Sequence, residues 1–221
     1  MKNTNKKDYE LIIFDWDGTL MDSESKIVNC FRKAVADIEL EYPGDAAVRN
    51  IIGLGLKEAL DVLLPDNGED DRKLVVDRYR EHFLYLDETD MPLFAGVKAG
   101  LQQLRQQDYS LAIATGKARV GLDKVLQQTQ LDKYFVSSRC ADEALSKPHP
   151  RMVLEILEET GVSANKAVVV GDTSYDIQMA HGAKTDVLAV CYGVHDRENL
   201  KAEQPLDCVN DFNSVINWFL E

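Results

Sequence analysis

Four short stretches of the chain are apolar at every position rather than at alternate ones: residues 11–14, 111–115, 167–170 and 187–191, apart from the threonine and cysteine that close the second and fourth. Continuous apolarity over four or five residues suits strands buried on both faces, as in a parallel sheet covered by helices. Cys208 and Val209 start a further edge strand, and residues 134–136 are a weaker candidate. Between these runs the spacing changes to that of helices. Val97, Leu101 and Leu104 share one face, as do Leu122, Val125 and Leu126, and then Met152, Val153, Ile156 and Leu157. Pro148 suits the start of the last of these helices and Gly161 its end. Strands alternate with helices from about residue 94 onward. That order predicts right-handed crossovers and an α/β, doubly wound, mostly parallel sheet.

Residues 22–93 break the alternation. They hold no convincing strand. Ile27, Cys30, Phe31, Ala34, Val35 and Ile38 keep a helical period, and residues 56–64 and 71–86 read as helices too. Pro43-Gly44, the Pro65 to Gly68 turn and Pro92 punctuate them. The expected organisation is an α/β core from residues 1–21 and 94–221, with an all-helical segment inserted at 22–93 just after the first strand.

Composition narrows the function. The 221 residues carry a formal net charge of -13. Such a balance repels nucleic acid and anionic membrane surfaces, so neither is an expected partner. An anionic substrate would then need local positive charge from lysine, a metal ion or backbone N–H groups. The four cysteines, Cys30, Cys140, Cys191 and Cys208, match no zinc spacing. The polar first eight residues and the short apolar run after them do not form a signal-peptide core, and no stretch is long enough to span a bilayer. A reduced, cytoplasmic protein with free thiols is expected.

Candidate chemistry sits directly after the strands. Asp15-Trp16-Asp17-Gly18-Thr19 follows the first one. Two carboxylates at i and i+2 repel each other and call for a cation or a shared proton. Alone, this pattern is read equally well as a solvated acidic turn. Its place at a strand end favours a site, because ligands of open α/β sheets bind beyond the carboxyl ends of the strands. Gly171-Asp172-Thr173-Ser174-Tyr175-Asp176 follows another buried strand. With a helix starting near Thr173, Asp176 falls one turn past Asp172 on the same side. Either aspartate alone could simply cap that helix. Both loops together supply the hard oxygen ligands magnesium prefers. Thr115-Gly116-Lys117 after the second strand can cradle an anion with a hydroxyl and backbone N–H groups. Lys147-Pro148 adds a cation.

The order Asp-x-Asp-Gly-Thr, Thr115, Lys147-Pro148, Gly-Asp-x-x-x-Asp resembles that of the haloacid dehalogenase-like hydrolases. The inserted helices resemble the cap of the group that includes phosphoglycolate phosphatase and β-phosphoglucomutase. The resemblance implies Asp15 as a nucleophile forming an aspartyl-phosphate, and Asp17 as general acid and then base, its main-chain carbonyl facing the metal. It implies Asp15 and Asp172 as direct Mg2+ ligands, Asp176 as a further ligand or as a partner to the ligands, and Thr115, Gly116 and Lys147 as holders of the phosphoryl group. Lys117 either assists with phosphate or faces solvent. Asp17 argues against dehalogenation, whose enzymes lack an acid there.

The expected activity is hydrolysis of small phosphomonoesters, of phosphoglycolate or sugar-phosphate type, by a monomer or homodimer. A sugar-phosphate mutase of the same fold and a non-catalytic phospho-ligand or protein-binding member are the alternatives. Among the inserted helices, Arg49, before the glycine-bearing loop of residues 51–56, either contacts a second anionic group of the substrate or is a surface arginine.

Overall fold

The computed structural model describes residues 8–221; the first seven residues of the expected core, with most of the polar leader, lie outside the described residues. Six parallel strands form one sheet: β1 (Leu11–Phe14), β2 (Ser110–Thr115), β3 (Ser137–Cys140), β4 (Ala167–Gly171), β5 (Asp186–Val190) and β6 (Asp207–Val209). Their order is β3-β2-β1-β4-β5-β6. The order reverses beside β1, which pairs with β2 on one side and β4 on the other. This is the switch point at which open α/β sheets leave a crevice for ligands.

The uninterrupted apolar runs are explained by layers on both faces. Ile12 and Phe14 point into one core with Ile113, Val168 and Val170. Helices α5 (Val97–Gln106), α6 (Arg119–Thr129) and α10 (Phe212–Leu220) supply Leu101, Leu122 and Phe212 to it. Leu11 and Ile13 point the other way, into a core with Ala112, Ala114 and Val169. There, α7 (Arg151–Thr160), α8 (Ser174–Gly182) and α9 (Arg197–Ala202) contribute Ile156, Ile177 and Leu200.

Residues 24–86 are helical: α1 (Glu24–Asp37), α2 (Asp45–Asn50), α3 (Leu56–Leu63), α4 (Glu69–Glu81) and a π-helical turn, His82–Leu86. They close around their own apolar cluster, which includes Phe31, Val48, Leu60 and Val75.

Three expectations need correction. The candidate strand at 134–136 is instead the end of a 3₁₀ turn, Asp132–Tyr134, leading into β3. Strand β3 is Ser-Ser-Arg-Cys, an edge strand with half-exposed central residues, so it lacks an apolar signature. Helix α7 starts at Arg151, not at Pro148, and stops before Gly161. The helix read as continuous over 71–86 loses its α-form at His82, where the π turn begins.

Candidate active site

Asp15 follows β1, Thr115 ends β2 and Asp172 follows β4, so three adjacent strands deliver three of the motifs to one edge. Lys147 comes from the loop between β3 and α7. All four side chains are buried. Lys147 Nζ lies 2.6 Å from Asp15 Oδ1 and 2.7 Å from Asp176 Oδ1. Asp15, Asp172 and Asp176 each offer an oxygen to one point, within 4.8 Å of one another.

Partners fix these carboxylates one by one. Asp172 Oδ1 accepts from Thr19 Oγ1 at 2.8 Å and its Oδ2 from the Val194 N–H at 2.9 Å. Asp176 Oδ2 accepts from the Thr173 N–H at 3.0 Å and from Thr173 Oγ1 at 2.7 Å. Thr173 returns the favour as the N-cap of α8, a reciprocal capping box. Thr173, not Asp172, therefore caps this helix, which frees Asp172 to face the cluster. Asp15 Oδ2 is buried and has no hydrogen-bond partner among the described residues. Burying a carboxylate oxygen without a partner is costly, so this atom is suited to take a cation or an electrophile.

The charges reinforce that reading. Burial pushes Asp15 well above the usual carboxylate range; Lys147 pulls it back, while Asp176 and Asp172 push it up further. Burial and then the Asp176 charge raise Asp172 to about 7, against the pull of Val194 N–H, Thr19 and Lys147. Three carboxylates thus share one ammonium group. A divalent hard cation would relieve the surplus negative charge, and the all-oxygen donor set suits Mg2+. The residues fit such an ion.

Close packing holds the arrangement. A Cβ on Gly18 would lie 2.1 Å from Asp172 Oδ2, and one on Gly193 would lie 2.3 Å from the same oxygen. The two backbones hold this carboxylate between them, and Gly18 turns with φ +81°, a value that side chains disfavour. Asp17 sits beside the cluster. Its Oδ1 accepts from Ser23 Oγ at 2.5 Å and meets Lys117 Nζ at 2.9 Å. Thr115 Oγ1 accepts the Lys117 N–H at 3.2 Å, which leaves its own hydroxyl proton to donate.

The haloacid dehalogenase-like hydrolase family model matches residues 12–190, a span that contains all four motifs. The chain belongs to this family of hydrolases. It is 36% identical over 212 residues to "Probable phosphatase IndB" of Dickeya dadantii, covering 93% of this chain and 91% of that one. It is 27% identical over 219 residues to a phosphoglycolate phosphatase of Nitrosococcus oceani, covering 96% of each. A crystal structure of "a predicted phosphoglycolate phosphatase" from Haemophilus somnus superposes with a TM-score of 0.84 at 25% identity, over 95% of this chain and 97% of that one.

In this haloacid dehalogenase-like hydrolase, eight of the nine sequence-derived site residues come together: Asp15, Asp17, Thr115, Gly116, Lys117, Lys147, Asp172 and Asp176. Arg49 does not join them. Its guanidinium pairs with Glu24 at the surface and is about half exposed, with the side chain at 47%. The helix α2 that carries it buries Val48 instead. The sequence reading missed Thr19 as an Asp172 partner, Ser23 as an Asp17 partner, and the Gly193-Val194 loop. The loop after β5 carried a usable signal, since it too follows a buried strand at the same sheet edge. Trp16 is fully buried, its indole N–H directed at Met21 Sδ, 3.3 Å away. The four cysteines are unbridged. Among the described residues no helix is long and apolar enough to cross a membrane.

Proposed function

We propose that this protein is a magnesium-dependent phosphatase of small phosphomonoesters, acting through an aspartyl-phosphate on Asp15. The carrying observation is the buried, partnerless Asp15 Oδ2 beside Lys147 and two further carboxylates. Asp15 attacks phosphorus with one carboxylate oxygen while Lys147 stays paired with the other and favours its ionised form. Asp17 protonates the departing oxygen, then takes a proton from the water that cleaves the acyl phosphate and regenerates Asp15. Thr115 and the Gly116 backbone, with Lys147, hold the equatorial oxygens of the transferring group, where charge stabilisation contributes most. Lys117 steadies Asp17 and adds a cation at the rim of the phosphoryl position. Asp15, Asp172 and Asp176, with the Asp17 main-chain carbonyl, would hold Mg2+, which supplies charge neutralisation for the phosphoryl group. The relatives named as phosphatases agree with this reading.

Residues 22–93 serve in this proposal as a cap over the core of 1–21 and 94–221. Several contacts support it. Gly55 N–H donates to Ser146 Oγ at 2.6 Å, next to Lys147. Tyr175 Oη donates to the Asn50 carbonyl at 2.9 Å. The carbonyls of Gly53 and Leu54 press on Gly116 so closely that a Cβ there would lie 2.6 and 2.5 Å from them. The cap loop thus rests on the phosphoryl cradle and keeps bulk water out.

The primary test is a panel of phosphorylated metabolites assayed for phosphate release. Release is expected with magnesium and not after chelation, without any bisphosphate activator. A need for a bisphosphate would identify a mutase instead. A second test is Gly116→Ala. The added methyl has to lift the cap loop, so kcat/KM is expected to fall by about 10²-fold, the usual cost of misplacing reacting groups by an ångström. Steady-state kinetics alongside thermal unfolding separate this from simple destabilisation. Unchanged kcat/KM would show that the loop does not need its seat.

A further inference from the structure

The cavity between the helical segment and the core extends well past the phosphoryl site, with a volume of about 330 Å³. Its wall is apolar and aromatic, formed by Ile27, Phe31, Ile52, Tyr79, Phe83 and Leu84. The three rings form a continuous surface: Phe31 and Tyr79 have centroids 4.7 Å apart with 44° between their planes, and Tyr79 stacks on Phe83 at 5.6 Å and 25°. The π turn aims Phe83 and Leu84 inward; such turns recur at functional positions. Lys124 of α6 holds the Leu84 carbonyl from the core side.

This wall begins at the leaving-group side of the site. Lys117 Nζ is 2.9 Å from Asp17 Oδ1 and 4.5 Å from the Phe83 centroid. One ammonium group therefore separates the proposed acid from the first ring. Whatever is attached to the oxygen that Asp17 protonates must lie along these rings. The cation nearest that position is already paired. Lys117 is taken by Asp17, and Arg49 is paired with Glu24 at the surface. Lys57 and Arg80 also line the cavity, both with solvent-exposed side chains.

Resting on the phosphatase reading above, we propose that the substrate's leaving group carries an aromatic or similarly flat apolar ring, and that the cavity selects it over a small carboxylate such as glycolate. A ring gains by leaving water for this wall and by stacking on it. A glycolate would occupy a minor part of a space within the range typical of ligand sites of about 300–1,000 Å³, and would leave the ring surface uncovered.

The test compares two esters and two non-hydrolysable probes on the full chain with Mg2+: benzyl phosphate against phosphoglycolate for kcat/KM, and benzylphosphonate against phosphonoacetate by calorimetry. The benzyl member of each pair is expected to be favoured at least tenfold. Phe83→Ala should shrink the kcat/KM ratio about tenfold, with Phe83→Leu as the gentler variant. Equal or stronger binding of phosphonoacetate overturns the proposal. So does a Phe83→Leu protein that loses activity on both esters while keeping their ratio. If neither ester is hydrolysed, the calorimetric pair still decides what the cavity prefers, and the metabolite panel decides the phosphatase reading separately.

Discussion

Asp15→Asn is expected to remove phosphate release by about 10⁴-fold or more, the scale seen when a nucleophile is deleted from a working catalytic set. The amide matches the carboxylate in shape but cannot form the aspartyl-phosphate. Other contributors to rate, the cradle and the cap, cannot substitute for a missing nucleophile. The fold should survive. Asp15 is buried, and its carboxylate is pushed up by burial and by Asp176 and Asp172, so removing its charge relieves repulsion while Asp176 keeps Lys147 paired. Circular dichroism and urea unfolding of the variant would check this, and single-turnover assays with magnesium would check the rate. Turnover within tenfold of the parent would sink the nucleophile assignment. Asp17→Asn should be distinguishable, because Asp15 could still accept a phosphoryl group from an activated ester that needs no protonation.

Lys147→Met should damage both stability and activity. Methionine replaces the lysine stem at similar volume, so the cavity term is small. The loss is electrostatic: two buried carboxylates, Asp15 and Asp176, lose the ammonium that sits 2.6 and 2.7 Å from them. Removing one partner of a buried ion pair costs about 3–5 kcal/mol. For a chain of this size that is a fall in Tm of roughly 10 °C. The measurement is unfolding without added metal. Adding Asp176→Asn should restore part of the loss, because it removes one of the stranded charges; the cycle of single and double variants isolates that coupling. If the double variant were as unstable as the sum of the singles, the ion pair would not be what Lys147 provides.

The motifs were legible because each lies next to a strong local signal. Asp15, Thr115 and Asp172 each end or follow a run that is apolar throughout, and a strand buried on both faces announces itself in any sequence. Their common location then followed from the general behaviour of parallel sheets. Features without a local signal were not legible. Strand β3 is polar and half exposed, so nothing marks it. The π turn at His82–Leu86 keeps a helical pattern of residues while redirecting them. Arg49 was chosen for its charge, but the direction of its side chain depends on which face of α2 buries Val48.

The sequence by itself determined the α/β class, the helical insertion, the family and the chemical identity of the groups at the strand ends. Only the tertiary structure decided the strand order that brings Asp15 and Asp172 side by side across more than 150 residues of chain. It also decided that Lys117 is spent on Asp17, that Asp15 Oδ2 has no hydrogen-bond partner among the described residues, and that three aromatic rings meet on the wall of one cavity. Periodicity reports whether a residue is buried, because burial repeats with the turn of its own element. It is silent on which distant residue does the burying, since that depends on how the elements pack.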